Sequence, residues 1–430
     1  MNYILILSSL LLVYLYSIQI KNDFANPGFL YLLIWLVASC FSLVFLRGQD
    51  ISFLSTFIII LGNFLFSYSI YFSNVLIKKQ EKSFVDSSYV NKLIVFFVIF
   101  LCLFMYWYIF KDLQKISKLV EPSSNFNKVL EGARYVSTRS IARVSYLSAT
   151  FNRVNYSIGL VFFYYYCKQI FYPNAKSVNS ILLLIVSILC VSGSMLSTGR
   201  SELLGMVMGY VSIYLLFYSK KIAWDYPEYS LKLLRYLLRA GLGFIVLFML
   251  IGVFVLNRTG GSQGETLLIN LSKYIGSSIG AFDYYLSNTF QYPENSVFGQ
   301  NIFLAFYSTL SSLGLYSGER IIFLPSTIIQ GTITNVYTIY YYLIQDFGII
   351  FGTLSQIFYG IFFGSIYYSI KKRFFNKYLI ISYAIFSQAI VMSFFAEQLI
   401  SVITNHFVRL FIAFAILIFI DLSNKIKIKV

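Results

Sequence analysis

Long apolar runs separated by short polar segments recur along the whole chain. Each run lasts about 17–25 residues, the length that crosses a hydrocarbon core of about 30 Å as a helix. The runs lack the period-2 alternation of membrane β-strands. The pattern therefore predicts an all-α membrane bundle with spans at 3–20, 29–46, 52–77, 93–110, 157–172, 179–197, 202–219, 236–256, 347–370, 378–397 and 406–423.

The stretch 111–156 allows two interpretations. Its first half, "KDLQKISKLVEPSSNFNKVLEG", is polar, whereas "ARYVSTRSIARVSYLSATFNRV" is apolar except for its arginines. If the second piece spans, the chain has twelve helices and both termini in the cytoplasm; otherwise it has eleven and an external N-terminus. The distribution of Lys and Arg among the loops narrowly favours twelve. Arg134, Arg139 and Arg143 would then contact substrate inside the bundle, or they mark a cytoplasmic amphipathic helix.

The composition indicates a membrane protein. The chain is 58% hydrophobic and 12% charged, whereas soluble domains are about a quarter charged. The first run, 3–20, has no basic n-region or A-x-A-like cleavage site, so we expect a retained span within a single integral membrane domain, 1–430. A net charge of +16 does not indicate nucleic acid, because the basic residues cluster between apolar runs.

The basic clusters also orient the chain. The positive-inside rule predicts a cytoplasmic location for Lys371, Lys372, Arg373, Lys377, Lys425, Lys427 and Lys429. Counting back, the long segment 257–346 is external and lies between the eighth or ninth span and the next. Because connections of this length are uncommon, the segment is expected to be functional.

Cysteine and histidine usage does not indicate a metal or a cofactor. The four cysteines, Cys40, Cys102, Cys167 and Cys190, lie inside apolar runs and have no CxxC spacing. The single histidine is His406, so a metal site would need an all-carboxylate cage. We therefore expect neither a disulfide framework nor a metal site.

The external segment 257–346 is amphipathic and rich in Tyr, Ser, Thr and Asn. We expect short helices that lie on or dip into the outer leaflet. Aromatic faces with hydroxyl and amide groups suit sugars, so Asn335 and Tyr337 in "GTITNVYTIYYYLIQDFGIIFG" are candidate glycan-binding residues. A membrane-interface aromatic belt explains single tyrosines equally well.

Three external arginines, Arg200, Arg258 and Arg320, lie at or near predicted span ends. Guanidinium binds phosphate in a bidentate manner and stays charged, so three converging arginines would suit a lipid-linked phosphate or pyrophosphate. The alternative for each is snorkelling to the headgroups or an ion pair with a neighbour, Glu202 or Glu319.

Two further titratable residues are candidates for acid–base chemistry. Asp346 precedes the span at 347–370, where it is either a first-turn acid at a helix N-terminus or a carboxylate that pairs with an arginine or acts as general base. His406 lies near the external end of the last span. It is a base or, in the interpretation that the sequence favours, a hydrogen-bonding core residue.

At "LSTGRSELLG", the long external segment and "TNVYTIYYYLIQDFG", the sequence resembles Wzy-type O-antigen or capsule repeat-unit polymerases. The resemblance covers mainly residues 190–370. In that family, external arginines followed at set distances by glycine are implicated in activity, and Arg320 followed by Gly331 has such a spacing. The related O-antigen ligases use a histidine in the long external loop, and this chain has none there.

The resemblance implies a GT-C-like, metal-independent glycosyltransferase of the bacterial inner membrane with its active site facing the periplasm. Its substrate would be an undecaprenyl-pyrophosphate-linked oligosaccharide, its product would enter lipopolysaccharide biosynthesis, and a chain-length regulator protein would be a further partner. Arg200, Arg258 and Arg320 would stabilise the leaving pyrophosphate. The candidate bases are Asp346, Glu319 and His406, in that order.

Two other functions stay open. A flippase for the same lipid-linked oligosaccharide predicts related halves, discontinuous helices and polar residues near mid-membrane. The predicted polar residues instead concentrate at one face and in one loop, which favours surface chemistry. An O-antigen ligase would bind and transfer its glycan by nearly the same chemistry and would differ in the acceptor of that glycan.

Overall fold

The computed structural model of the chain describes residues 1–80, 88–120, 125–138, 141–174, 177–197, 200–224, 232, 235, 267–289, 298–316 and 324–428. Most of these residues are helical. The helices are α1 Asn2–Gln19, α2 Pro27–Leu46, α3 Phe53–Leu76, α4 Lys92–Ser117, α5 Phe126–Thr138, α6 Tyr146–Phe171, α7 Ser180–Ser194, α8 Arg200–Tyr218, α9 Leu267–Tyr284, α10 Leu304–Ser312, α11 Ile339–Leu354, α12 Gln356–Lys372, α13 Lys377–Met392 and α14 Ile403–Ile428.

Single polar residues start several of the apolar helices. The side chains of Asn26, Ser52, Asn91, Asn179 and Asn376 each accept a hydrogen bond from a backbone N–H in the first turn of α2, α3, α4, α7 and α13. Such N-caps satisfy one of the donors that a helix start leaves free. The apolar runs thus begin as helices close to the positions that the hydrophobic pattern predicts.

Six helices among the described residues are long and apolar enough to cross a membrane, and the bent pair α11 and α12 raises this to seven if it forms one span. The six lie at Asn2–Gln19, Pro27–Leu46, Phe53–Leu76, Lys92–Ser117, Ser201–Ala223 and Ile403–Lys425. A membrane protein with a helical bundle is therefore the coarse architecture. The predicted span at 236–256 lies outside the described residues.

The stretch 133–154 does not form a helix of its own. Its first residues end the amphipathic helix α5, residues 141–145 are not helical, and the rest begins the 26-residue helix α6. Ser145 caps α6, and its backbone N–H donates to Asp112 at 2.8 Å. The twelve-helix interpretation predicts a separate span here. The structure instead has one helix, α6, which extends the span predicted at 157–172 back to Tyr146.

Contacts sort the helix ends into two groups. At one end, which we call the lysine end, Asp23 binds Lys371, Lys377 binds Asp421, and Asn424 binds the backbone of Tyr89. The residues here lead into α2, α4 and α13 and end α12 and α14.

At the opposite end, the hairpin end, β1 (Thr327–Ile329) and β2 (Thr332–Thr334) form an antiparallel pair. The hairpin's Gln330 donates to the carbonyl of Leu46 at 3.0 Å, and the N-terminal ammonium binds Asp50 at 2.9 Å. The N-terminus therefore lies at the same end as this part of the long segment 257–346. The twelve-helix interpretation places them on opposite sides, so the contacts fit the eleven-helix alternative.

Part of the long segment is built into the bundle. Helix α9 packs along α2, where a Cβ at Gly276 would lie 2.7 Å from the carbonyl oxygen of Phe41. Small residues allow membrane helices to approach this closely. This helix is longer and more deeply packed than the short interfacial helices expected from the sequence, whereas α10 is a single short helix.

The span predicted at 347–370 is broken. Its first residues belong to α11, which begins earlier, at Ile339, and α11 and α12 meet at an angle of 64°. Gly348 has φ +75°, a conformation that other residues rarely adopt, and it interrupts the helical backbone inside α11. Because α11 begins at Ile339, Asp346 lies within the helix and is partly buried, instead of lying at a helix start.

Candidate functional site

The predicted pyrophosphate-binding arginines fall mostly outside the described residues. Arg258, Arg320 and the candidate base Glu319 all do. Arg200 is the first residue of α8, and its side chain lies outside the described part of the structure. Their convergence stays a prediction.

Asp346 holds the turn that precedes α10. Its carboxylate accepts hydrogen bonds from the backbone N–H and the side-chain amide of Asn301, the latter at 2.7 Å, and from the backbone N–H of Ile302 at 2.8 Å. This is a different arrangement from the first-turn acid considered above, because the donors come from a distant turn. The carboxylate anchors part of the long segment to α11.

The two candidate glycan-binding residues differ in exposure. Asn335 is exposed in the connection between β2 and α11. Tyr337 is buried, stacks on Tyr341 with ring centroids 4.2 Å apart, and donates to the carbonyl of Pro325 at 2.9 Å. Burial raises the pKa of Tyr337, so its hydroxyl stays a donor. In the described conformation Tyr337 therefore anchors the segment that leads into the hairpin, whereas the side chain of Asn335 is accessible to a ligand.

His406 is fully buried near the start of α14. Its Nε2 lies 2.8 Å from the carbonyl oxygen of Gln398, which assigns the proton to Nε2. Nδ1 has no hydrogen-bond partner among the described residues, and the ring packs edge-on against Phe386. The geometry is that of the core histidine that the sequence favoured, with one free acceptor nitrogen.

One turn further along α14, the buried Arg409 forms an ion pair with the partly exposed Glu202 of α8. Its guanidinium donates to Gln388 of α13 at 3.2 Å and lies 4.0 Å above the ring of Tyr156 of α6. An aromatic face and a carboxylate together compensate a cation removed from water. Four helices that are distant in sequence therefore meet at one guanidinium.

This network continues into the loop 393–402. The amide of Gln388 donates to Gln398 at 3.3 Å, and the carbonyl of Gln398 accepts from His406. Next to it, Glu397 accepts from the backbone N–H groups of Leu399, Ile400 and Ser401 and from the hydroxyl of Tyr359 of α12 at 2.9 Å.

The same loop lies near Asp346, because Ile400 of the loop and Asp346 line one mostly apolar pocket of about 550 Å³. Its lining includes Phe298, Phe347, Phe351, Phe358, Tyr359 and Ile400. Asp346 and His406, both predicted as candidates, are thus brought close to one loop.

The sequence analysis missed the centre of this site. Glu202 was considered as a partner of Arg200, and Arg409, a charge inside the span predicted at 406–423, was not considered as a site residue. A charge within a membrane span is by default a functional hypothesis, and that rule applied to Arg409 and to Glu397, at the end of the span predicted at 378–397, would have found both. No local signal identifies Gln388 or Gln398.

The described residues contain no group of three His, Cys, Asp or Glu side chains that could hold a metal ion. Comparison of this chain with protein-family models, with curated proteins and with solved structures finds no match. The functional assignment therefore depends on the residues of the site and on the resemblance of the sequence motifs.

Proposed function

We propose that this chain is a membrane glycosyltransferase that polymerises lipid-linked oligosaccharide repeat units. The growing glycan would be transferred from undecaprenyl pyrophosphate to a hydroxyl of the incoming lipid-linked unit. The main supporting observation is the polar network around the buried Arg409, which includes Glu202 in the first turn of α8, where Arg200 lies, and extends through the loop 393–402 towards Asp346.

In the proposed reaction the protein positions the two substrates, accepts a proton and stabilises the charge of the leaving group. A hydroxyl oxygen of the incoming unit forms a bond to the anomeric carbon, its proton passes to a base, and the bond to pyrophosphate breaks with its electron pair on the leaving group. Fixed arginines stabilise that developing negative charge. We assign this role to Arg200, Arg258 and Arg320, and we keep Asp346, Glu319 and His406 as candidate bases and Asn335 and Tyr337 as glycan-binding residues.

The proposed setting is the bacterial inner membrane with a GT-C-like bundle of eleven spans. The lysine end would face the cytoplasm, in accordance with the positive-inside rule, and the hairpin end the periplasm. Undecaprenyl-linked glycan would then reach the site from the side of the long segment 257–346. A chain-length regulator protein would be a partner at that same face.

A second candidate is a transporter that moves the same lipid-linked oligosaccharide across the bilayer. The observation in its favour is the combination of the 64° break between α11 and α12 with charged groups inside the bundle. Arg409 lies twelve residues from Asp421 of the lysine end, which is about 18 Å of helix. Discontinuous helices and interior charges are both typical of secondary transporters.

Reconstitution separates these functions. The purified protein would be placed in liposomes with lipid-linked repeat units from a host strain that lacks the chromosomal gene, with and without EDTA. We expect lengthened glycans in both samples from the wild type, none from Arg200→Ala or Arg320→Ala, and normal lengthening from Lys118→Ala, an exposed basic residue used as control.

Other outcomes contradict the proposal. Unaltered oligosaccharide that becomes accessible on the opposite leaflet indicates a transporter. Transfer of single units to added lipid A core, without lengthening, indicates a ligase. Normal chain-length ladders from both arginine variants contradict the arginine assignment alone.

A further inference from the structure

Arg409 and Glu202 form an ion pair whose two members differ in exposure. The side chain of Arg409 is 3% exposed, whereas that of Glu202 is 31% exposed. A surface ion pair would expose both groups, and a core pair neither. Here the buried cation of Arg409 binds a carboxylate that is partly exposed.

Arg409 is not placed to bind a ligand directly. The ring of Tyr156 covers one face of the guanidinium, Gln388 takes up Nη1, and Glu202 takes up Nη2. The N–H of Nε is buried and has no hydrogen-bond partner among the described residues. The protein thus leaves at least one of the five N–H donors of a buried cation unsatisfied, which is costly and indicates that the position of this guanidinium matters.

Glu202 differs from the other carboxylates near the loop 393–402. Asp346 and Glu397 each receive at least three hydrogen bonds, which use both of their oxygens. Within the described part of the chain, Glu202 has Arg409 as its partner through Oε2, and Oε1 accepts no hydrogen bond. A carboxylate has about four acceptor sites, so Glu202 keeps capacity for a ligand.

We propose that Glu202 binds a hydroxyl group of the sugar in the lipid-linked substrate and that Arg409 is its positioning residue. This inference rests on the proposed function. The guanidinium fixes the orientation of the carboxylate, and a carboxylate acceptor forms a hydrogen bond about twice as strong as a neutral acceptor does. A negative carboxylate repels phosphate, so Glu202 selects the sugar and leaves the pyrophosphate to the arginines.

Three variants test this role: Glu202→Gln, Arg409→Lys and the charge swap Glu202→Arg with Arg409→Glu. Glu202→Gln replaces the charged acceptor by a neutral one, so we expect at least a tenfold rise in KM for the lipid-linked unit. The lysine in Arg409→Lys keeps the charge but loses the fork geometry, so a smaller rise in KM is expected. The swap restores an ion pair between α8 and α14, so it should recover the thermal stability of the wild type and remain inactive.

The control is Asp421→Asn, which removes the charge of another ion pair at the lysine end, far from Glu202. We expect this variant to lose stability but keep the wild-type KM. If the Glu202–Arg409 pair only connects two helices, the swap recovers both stability and activity, which overturns the inference. A wild-type KM for Glu202→Gln overturns it as well, whether or not the swap variant folds.

These outcomes are distinct from failure of the proposed function. A wild-type protein that does not lengthen glycans refutes the polymerase proposal and, with it, the role of Glu202. A wild type that does lengthen them, together with an active swap variant, refutes the role of Glu202 alone.

Discussion

Gly205 of α8 lies directly against the side-chain amide of Gln388 of α13, and the same amide oxygen accepts a hydrogen bond from Arg409. A Cβ at position 205 would overlap that amide. The absence of a side chain at Gly205 therefore makes room for the polar network between α8, α13 and α14.

The substitution Gly205→Ala should destabilise the protein by displacing Gln388. Overpacking of a well-packed interior costs about 1–3 kcal/mol, and here it also removes a partner of Arg409. Thermal unfolding in detergent should show a lower midpoint, and glycan lengthening should fall as well. In the background Gln388→Ala, the same change at Gly205 should cost much less, because the overlapping amide is gone. Equal costs in both backgrounds would show that Gln388 is not the group displaced.

Asp346→Asn should loosen the turn that precedes α10. The carboxylate accepts from the backbone N–H groups of Asn301 and Ile302, and an asparagine would present its own donor to one of them. Loss of a hydrogen bond to a charged group costs about 1.5–3 kcal/mol. We expect faster protease cleavage within residues 298–316 and a lower unfolding midpoint.

Asp283→Asn is the matched control for this change. In its contacts with the described residues Asp283 uses only Oδ1, which accepts from the backbone N–H of Ser52 at 2.9 Å and from the hydroxyl of Ser55 at 2.7 Å. An asparagine side chain keeps that oxygen, so cleavage and stability should stay close to those of the wild type. Unchanged cleavage in Asp346→Asn would mean that the turn does not depend on the carboxylate.

The hydrophobic pattern predicted most helices well because apolar length and N-capping are local properties. The span predicted at 29–46 is observed as Pro27–Leu46, and that at 52–77 as Phe53–Leu76. The pattern did not predict helix ends that are set by tertiary contacts. The span predicted at 378–397 ends at Met392, because the carbonyl of the next residue, Ser393, accepts from the backbone N–H of Ile339 at 2.8 Å instead of continuing the helix.

The site was harder to predict than the helices. Glu202 and Arg409 are 207 positions apart, so no spacing rule connects them. The sequence suggested the adjacent Arg200 as the partner of Glu202, since neighbouring opposite charges often pair. The fold instead brings the last helix against α8, and the charge that the sequence placed inside the last span becomes the partner.

Asp23→Asn should weaken the lysine end. The Asp23 carboxylate binds Lys371 at 2.5 Å and accepts from the hydroxyl of Tyr367 at 2.7 Å. Removing one member of a fully buried pair costs about 3–5 kcal/mol, and the 27% exposure of Lys371 reduces this to about 2 kcal/mol. The unfolding midpoint should fall, whereas Asp50→Asn, in the exposed pair with the N-terminus, should leave it unchanged. Equal midpoints for the two variants would contradict the importance of the Asp23 contacts.

The two ends of the bundle can be assigned to sides of the membrane by cysteine labelling. The exposed residues Gln49, Lys118 and Asn335 lie at the hairpin end, and the exposed Lys78 lies at the lysine end. Single cysteines would replace each of them in a protein whose four native cysteines, Cys40, Cys102, Cys167 and Cys190, are changed to serine. A membrane-impermeant maleimide would then be added to intact spheroplasts.

The eleven-helix arrangement predicts that Gln49→Cys, Lys118→Cys and Asn335→Cys react from outside and that Lys78→Cys reacts only after lysis. The twelve-helix arrangement places Gln49 and Lys118 in the cytoplasm and Lys78 outside, on the same side as Asn335. It therefore predicts that Lys78→Cys and Asn335→Cys react from outside and that Gln49→Cys and Lys118→Cys react only after lysis. Since the N-terminal ammonium contacts Asp50, the label at position 49 also locates the N-terminus. Protection of Gln49→Cys in spheroplasts that label at Asn335→Cys would contradict the grouping of the helix ends.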